Sequence, residues 1–113
     1  MSTIFKKIID KEINADIVYE NDKVLAFKDI NPVSPIHILI IPKKEIPTIN
    51  DISSNDKELL GEMFITAQKI AKKLNINKNG YRVGFNCNED GGQTVFHLHM
   101  HLLGGRSFSW PPG

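Results

Sequence analysis

The period of the apolar positions changes several times along this 113-residue chain, and each change marks an element. Ile4, Phe5, Ile8 and Ile9 fall at helical spacing with lysines between them, which predicts a short amphipathic helix. Ile17–Glu20 and Val24–Lys28 read as two short strands, with Asn21-Asp22 as a hairpin turn that lacks the usual glycine. Asn31-Pro32-Val33-Ser34-Pro35 is a loop, because two prolines and a serine leave little room for regular structure. His37–Ile41 is a near-continuous apolar run that stops at Pro42, the pattern of a strand buried on both faces near a sheet centre. Residues 46–54 fit neither period. From Asn55 to Leu74 the apolar residues recur at three- and four-residue steps, a long helix for which Asn55 and Glu58 offer a capping box. Asn79-Gly80 turns the chain into a fourth strand, Tyr81–Asn86, with Tyr81, Val83 and Phe85 on one face. The turn-rich loop Asn88–Gly92 follows, then a fifth strand from Phe96 to Leu103. Two helices and five strands with short connections predict a single α+β domain over residues 1–113. Its sheet is expected to be largely antiparallel, with the helices against one face.

Composition narrows the functional classes. The apolar fraction of 41%, the charged fraction of 24% and a formal charge of +1 describe an ordinary globular chain. There is no basic stripe of the kind that neutralises phosphates in a nucleic-acid binder. Cys87 is the only cysteine, so no intrachain disulfide forms, which fits a reducing compartment. Met1–Lys11 lacks the apolar run of a secretion signal, and no stretch approaches the ~20 apolar residues of a membrane span. A soluble cytoplasmic protein is expected. A domain this small has a modest core, and pairing with a second copy would extend it.

The chemistry concentrates in His97-Leu98-His99-Met100-His101-Leu102. Alternation along a strand puts His97, His99 and His101 on one face, about 6.6 Å apart, and Leu98, Met100 and Leu102 on the other. Three readings fit the spacing. The imidazoles could be structural, satisfied by neighbouring groups. Histidines at i and i+2 could share a zinc ion with a third ligand. One imidazole could act as a nucleophile on phosphorus while others donate to its oxygens. The neighbours favour the third. Asp90-Gly91-Gly92-Gln93-Thr94 lies just upstream, and its glycines let several backbone N–H groups converge on an anion. Thr94 adds a hydroxyl and Asn86 an amide.

His97-Leu98-His99-Met100-His101-Leu102-Leu103 resembles the signature of the histidine-triad family: His, apolar, His, apolar, His, apolar, apolar. The resemblance extends to Phe27–Pro32, His37–Lys44 and Asp90–Thr94. The ending Leu103-Gly104-Gly105-Arg106 through Trp110-Pro111-Pro112-Gly113 is similar to the branch of histidine-triad nucleotide-binding proteins. The resemblance implies a five-stranded antiparallel sheet with two helices, continued across a homodimer. It also implies hydrolysis of purine nucleoside 5′-phosphoramidates without a metal or other cofactor. On this resemblance His99 is the nucleophile, His97 and His101 its flanking partners, and His37 the fourth histidine of the site. Asp29 binds the ribose hydroxyls. Asn86, Gly92, Gln93 and Thr94 contact the phosphate or the leaving group. Ile4, Phe5, Ile8, Phe27, Ile30 and Leu39 form the base pocket, and Trp110 reaches toward the partner subunit's site.

Some relatives hold a structural zinc through an N-terminal Cys-x-x-Cys and a later histidine. Here Thr3, Lys6 and Glu45 occupy those positions, which removes the zinc. Ser109 stands where some relatives place a histidine, and Thr94 where many have serine. The alternatives are a dinucleoside polyphosphate hydrolase or a nucleotidyl transferase, whose third histidine is replaced by glutamine where this chain has His101. A non-catalytic nucleotide-binding regulator is another. A neutral imidazole is nucleophilic near pH 7. The expected geometry has the His99 Nδ1–H donating to a backbone carbonyl, that of His97, leaving Nε2 aimed at phosphorus.

Overall fold

Five short apolar segments pair into one sheet. In the computed structural model, which describes residues 2–113, strands β1 (Ile17–Glu20), β2 (Val24–Lys28), β3 (Ile36–Pro42), β4 (Tyr81–Gly84) and β5 (Met100–Gly104) are all antiparallel, in the order β1-β2-β3-β5-β4. The apolar run of β3 occupies the centre, as its pattern predicts. The β1–β2 turn works without glycine because Asn21 Oδ1 accepts from the Lys23 and Val24 amides, an Asx turn. No helix among the described residues is long and apolar enough to cross a membrane.

The helices α1 (Ile4–Ile9) and α2 (Lys57–Lys73) do not share one face, which corrects the layering expected from sequence. Met63, Ala67 and Ile70 of α2 pack on Val24, Ala26, Ile38, Ile40, Leu98, Met100 and Leu102. Phe5 and Ile8 of α1 pack with Leu25, Phe27, Leu39 and Ile41 from the opposite parity of the same strands. The cause is visible in β2 and β3: with apolar residues at both parities, both faces need cover. The second cover has only six residues. It leaves part of its face open, and that is the face of His37, His99 and His101.

Element ends differ from the sequence reading for local reasons. Helix α2 starts two residues late and carries no side-chain cap of its own. The capping box belongs to the preceding 3-10 turn, Ser54–Asp56, where Ser53 and Asp56 satisfy each other's amides. A second 3-10 turn, Ile49–Asp51, is capped likewise by Thr48 and Asp51. Strand β4 ends at Gly84 rather than Asn86. Residues 88–91 coil into a one-turn helix, α3 (Asn88–Gly91), closed by Gly92 at φ +82°. Strand β5 starts at Met100 rather than Phe96. Its ladder with β3 ends there because the next partners approach Pro42, which has no N–H to give. The Pro42 carbonyl accepts from His97 Nε2–H, and Leu98 N–H donates to the Ile46 carbonyl instead. At the other end of β5, a Cβ on Gly104 would lie 2.6 Å from Ile76, and Gly105 adopts φ +88° against Pro35. That turn sends Arg106–Gly113 back toward Val33 and Arg82.

Candidate active site

Where the β5 ladder ends, the backbone carbonyl of His97 is free to take a side-chain donor. His99 Nδ1 supplies it at 2.7 Å, the contact expected from sequence. A neutral ring that donates through Nδ1 carries an unprotonated Nε2. The ring is held edge-on by Phe5 at 5.0 Å and by His101 at 5.0 Å between centroids. Burial pushes the His99 pKa below its ordinary value, so the ring is neutral at pH 7.

A second chain of contacts fixes the tautomer of His101. The Val33 N–H donates to His37 Nδ1 at 3.2 Å, so the proton of neutral His37 sits on Nε2. His37 Nε2 lies 2.9 Å from His101 Nδ1, and also 3.4 Å from Asp29 Oδ2. His101 Nδ1 therefore accepts, and its own proton sits on Nε2. That Nε2 is buried and has no hydrogen-bond partner among the described residues. Burial, then the neighbouring His99 and His37 rings, push the His101 pKa down to about 4. Burial also lowers the His37 pKa, against the pull of Asp29. Two rings that line the same cavity thus carry nitrogens with opposite roles: an acceptor lone pair on His99 Nε2 and an N–H donor on His101 Nε2.

Two cavities meet at His101. The first, about 310 Å³, is lined by Ile4, Phe5, Ile8, Phe27 and Leu39, with Asp29, Thr94, His99 and His101 at its polar end. Asp29 is oriented by the Asn31 amide, which donates to its Oδ1 at 2.8 Å. Ile30 stands at the rim of this cavity and is 87% exposed, so it contributes less to an apolar pocket than expected. The second cavity, about 710 Å³, is lined by His37, Arg82, Gly84, Asn86, His101 and Trp110. Gly84 lies opposite His101 in the β4–β5 register, so no side chain stands between the histidine and this space.

Residues 10–108 match the HIT domain family. The chain belongs to that family. It is 56% identical to the purine nucleoside phosphoramidase of Escherichia coli K12 over 104 residues, covering 92% of this chain and 87% of the relative. Its fold superposes on a HIT family hydrolase from Legionella pneumophila with a TM-score of 0.97 and 51% identity, covering 99% and 100% of the two chains. A histidine triad nucleotide-binding protein from Candida albicans gives a TM-score of 0.84 at 32% identity, over 97% of this chain and 83% of that one.

Within this HIT domain the residues expected at the site do not all reach it. His97 is buried beneath His99 with Nε2–H on the Pro42 carbonyl, and it lines neither cavity. It meets His99 through its own carbonyl. The Gly92 and Gln93 amides close the turn of α3 on the Glu89 and Asn88 carbonyls. The buried Gln93 side chain accepts from the Asn88 amide and donates to the Pro47 and Val95 carbonyls, bracing three segments. Thr94 is the first residue of that loop to line the first cavity. Trp110, expected at a partner's site, lines the second cavity of its own chain and is 80% exposed. Sequence reasoning missed Ile13, Asn14, Ala15 and Val95 in the first cavity and Arg82 in the second. Ile13–Ala15 are reached because Lys11 turns left-handed (φ 62°) after α1, which no residue pattern announces. Thr3, at a position where some relatives have a zinc-binding cysteine, caps α1 by accepting from the Lys6 amide. Asp29, His37 and His101 each offer a ligand atom within 4.8 Å of the others, so a cation could be held where the hydrogen-bond chain now runs.

Proposed function

We propose that the protein hydrolyses the P–N bond of purine nucleoside 5′-phosphoramidates through a nucleotidyl-histidine intermediate. The observation that carries this reading is the pairing of an unprotonated His99 Nε2 with the His101 Nε2–H at the junction of the two cavities. The 56% identity to an enzyme named purine nucleoside phosphoramidase supports the substrate class. The base lies among Phe5, Ile8, Phe27 and Leu39, and the ribose hydroxyls on Asp29. His99 Nε2 forms a bond to phosphorus as the P–N bond breaks. The departing nitrogen keeps that electron pair, takes up a proton and leaves as the amine through the second cavity. The His101 N–H and the Thr94 hydroxyl donate to the phosphoryl oxygens, where a positioned donor is worth about 3 kcal/mol in comparable anion holes. Water then cleaves the labile nucleotidyl–imidazole bond, releasing the nucleoside monophosphate and regenerating His99.

Trapping tests the reading. Rapid quenching with an adenosine phosphoramidate, followed by peptide mass spectrometry, is expected to find an adenylyl mass on the His99 peptide. Turnover with the adduct elsewhere overturns the assignment. The Asp29–His37–His101 cluster also motivates a second reading, a metal hydrolase. The same quench in excess chelator separates the two: the hydrogen-bonded chain predicts an undiminished adduct, a metal site its loss.

A homodimer joined at β4 completes the proposal. That strand is an open sheet edge, and beside it Phe64 is 54% exposed and 6.3 Å from Phe85. Light scattering is expected to give twice the 12.7 kDa chain mass.

A further inference from the structure

We infer that Arg106, which lies outside both catalytic cavities' histidine machinery, is a positioning residue that selects the tautomer of the His37–His101 pair through Val33. This rests on the proposed role of His101 as a donor to phosphate, and deepens it.

The two imidazoles share one proton between facing nitrogens 2.9 Å apart. Such a pair has two neutral arrangements. In one, His37 donates to His101 and the His101 Nε2 carries an N–H. In the other, both tautomers are reversed, His101 donates to His37, and the His101 Nε2 presents a lone pair. Only the first helps an anionic phosphoryl group; the second repels it. Nothing in the pair itself decides between them. Two neighbours bias it the same way: Asp29 Oδ2, 3.4 Å from His37 Nε2, favours a proton on that nitrogen, and the Val33 N–H, which donates to His37 Nδ1, demands a lone pair on the other.

Val33 lies in the loop Asn31–Pro35, outside any helix or strand. Its carbonyl is held by Arg106 Nη2 at 3.1 Å. One exposed hydrogen bond would be a weak restraint, but this guanidinium is held in three ways. Its Nη1 donates to the Ser107 carbonyl at 2.9 Å, and its plane sits 4.2 Å over the Phe108 ring. The other side of the arrangement is closed by Arg82, which lies 5.3 Å from the same ring and donates to the Ser109 carbonyl. The Gly105 turn, which only glycine fits, delivers Arg106 to this place. The C-terminal segment therefore holds the loop whose amide, together with Asp29, sets the proton direction in the site.

The test reads the tautomers directly, without turnover. Long-range ¹H–¹⁵N correlation spectra of the labelled protein are expected to show His37 and His101 both protonated at Nε2. In Arg106→Met the pair should populate both arrangements, with Nδ1-protonated His101 appearing. Arg106→Lys, which keeps the charge and one donor but not the fork, should fall between them. Unchanged tautomers in folded Arg106→Met overturn the inference. Kinetics give a second arm: kcat for an adenosine phosphoramidate should fall about 3- to 10-fold, a fraction of the loss on deleting an anion-hole donor outright, with AMP affinity nearly constant. A fall in thermal stability with unchanged tautomers and kcat would assign Arg106 a purely structural role. If the wild-type protein turns over no phosphoramidate, the proposed function fails, while the spectra still decide the role of Arg106.

Discussion

His99→Asn is expected to lower phosphoramidate turnover by at least about 10⁴-fold, the scale seen when a covalent nucleophile is removed, while AMP still binds. Geometry explains why the two effects separate. Asparagine places an amide nitrogen near the position of Nδ1, so the donation to the His97 carbonyl at 2.7 Å can persist. What disappears is Nε2, the atom that attacks phosphorus. The base pocket, Asp29 and the His101 donor are untouched. Loss of the Phe5–His99 edge contact removes some packing, and the fold itself rests on two cores that His99 does not anchor. Calorimetry with AMP and steady-state rates on the same preparation check both halves. A variant that keeps near-normal turnover would remove His99 from the chemistry.

The sequence was most legible where one local rule acted alone. Helix α1 and strands β1 and β2 appear where periodicity placed them. The unbroken apolar run of β3 announced both its central place and its two-sided burial. The same fact argued for cover on both sides, an implication that the two-helices-on-one-face reading left undrawn. The histidine face was legible as alternation, and it persists through His99 although the regular ladder begins only at Met100. The fate of His97 was not, because it depends on Pro42, distant in sequence, leaving its carbonyl open to that ring. The local structure of Gly92 and Gln93 was hidden for a related reason. Glycines allow a loop to cradle an anion, but they equally allow a one-turn helix to close on its own amides, and Gln93 finds three partners in separate segments. Arg82 and Arg106 carry no signal in a single sequence, since nothing local distinguishes a guanidinium on Phe108 from one in solvent.

Mild acid is expected to destabilise the fold well before the carboxylates titrate. All four histidines have native pKa values pushed below the ordinary 6.5, chiefly by burial. In the unfolded chain each regains that ordinary value. As pH falls through about 6.5 the unfolded state binds protons that the native state refuses, so stability declines with decreasing pH. For a given ring the decline ends only when the native form also protonates. For His101, with a native value of about 4, the window spans most of the interval between about 6.5 and 4, and that ring alone accounts for about 3 kcal/mol. His37, His97 and His99 act in the same direction. Glu20 and Asp56, held low by lysine partners, add their own losses only at lower pH, as it drops through the usual carboxylate range. Urea unfolding between about pH 7 and pH 4.5 should therefore show a midpoint that falls steadily with acid. His101→Gln, which removes one titrating ring, should make that fall shallower. A midpoint independent of pH over this range would mean that the rings are not neutral and buried as a group. It would also leave His99 with an ordinary pKa, so that its Nε2 would be protonated as pH falls through about 6.5 instead of staying free into mild acid, because the burial that lowers its pKa is the same burial that makes the fold acid-sensitive.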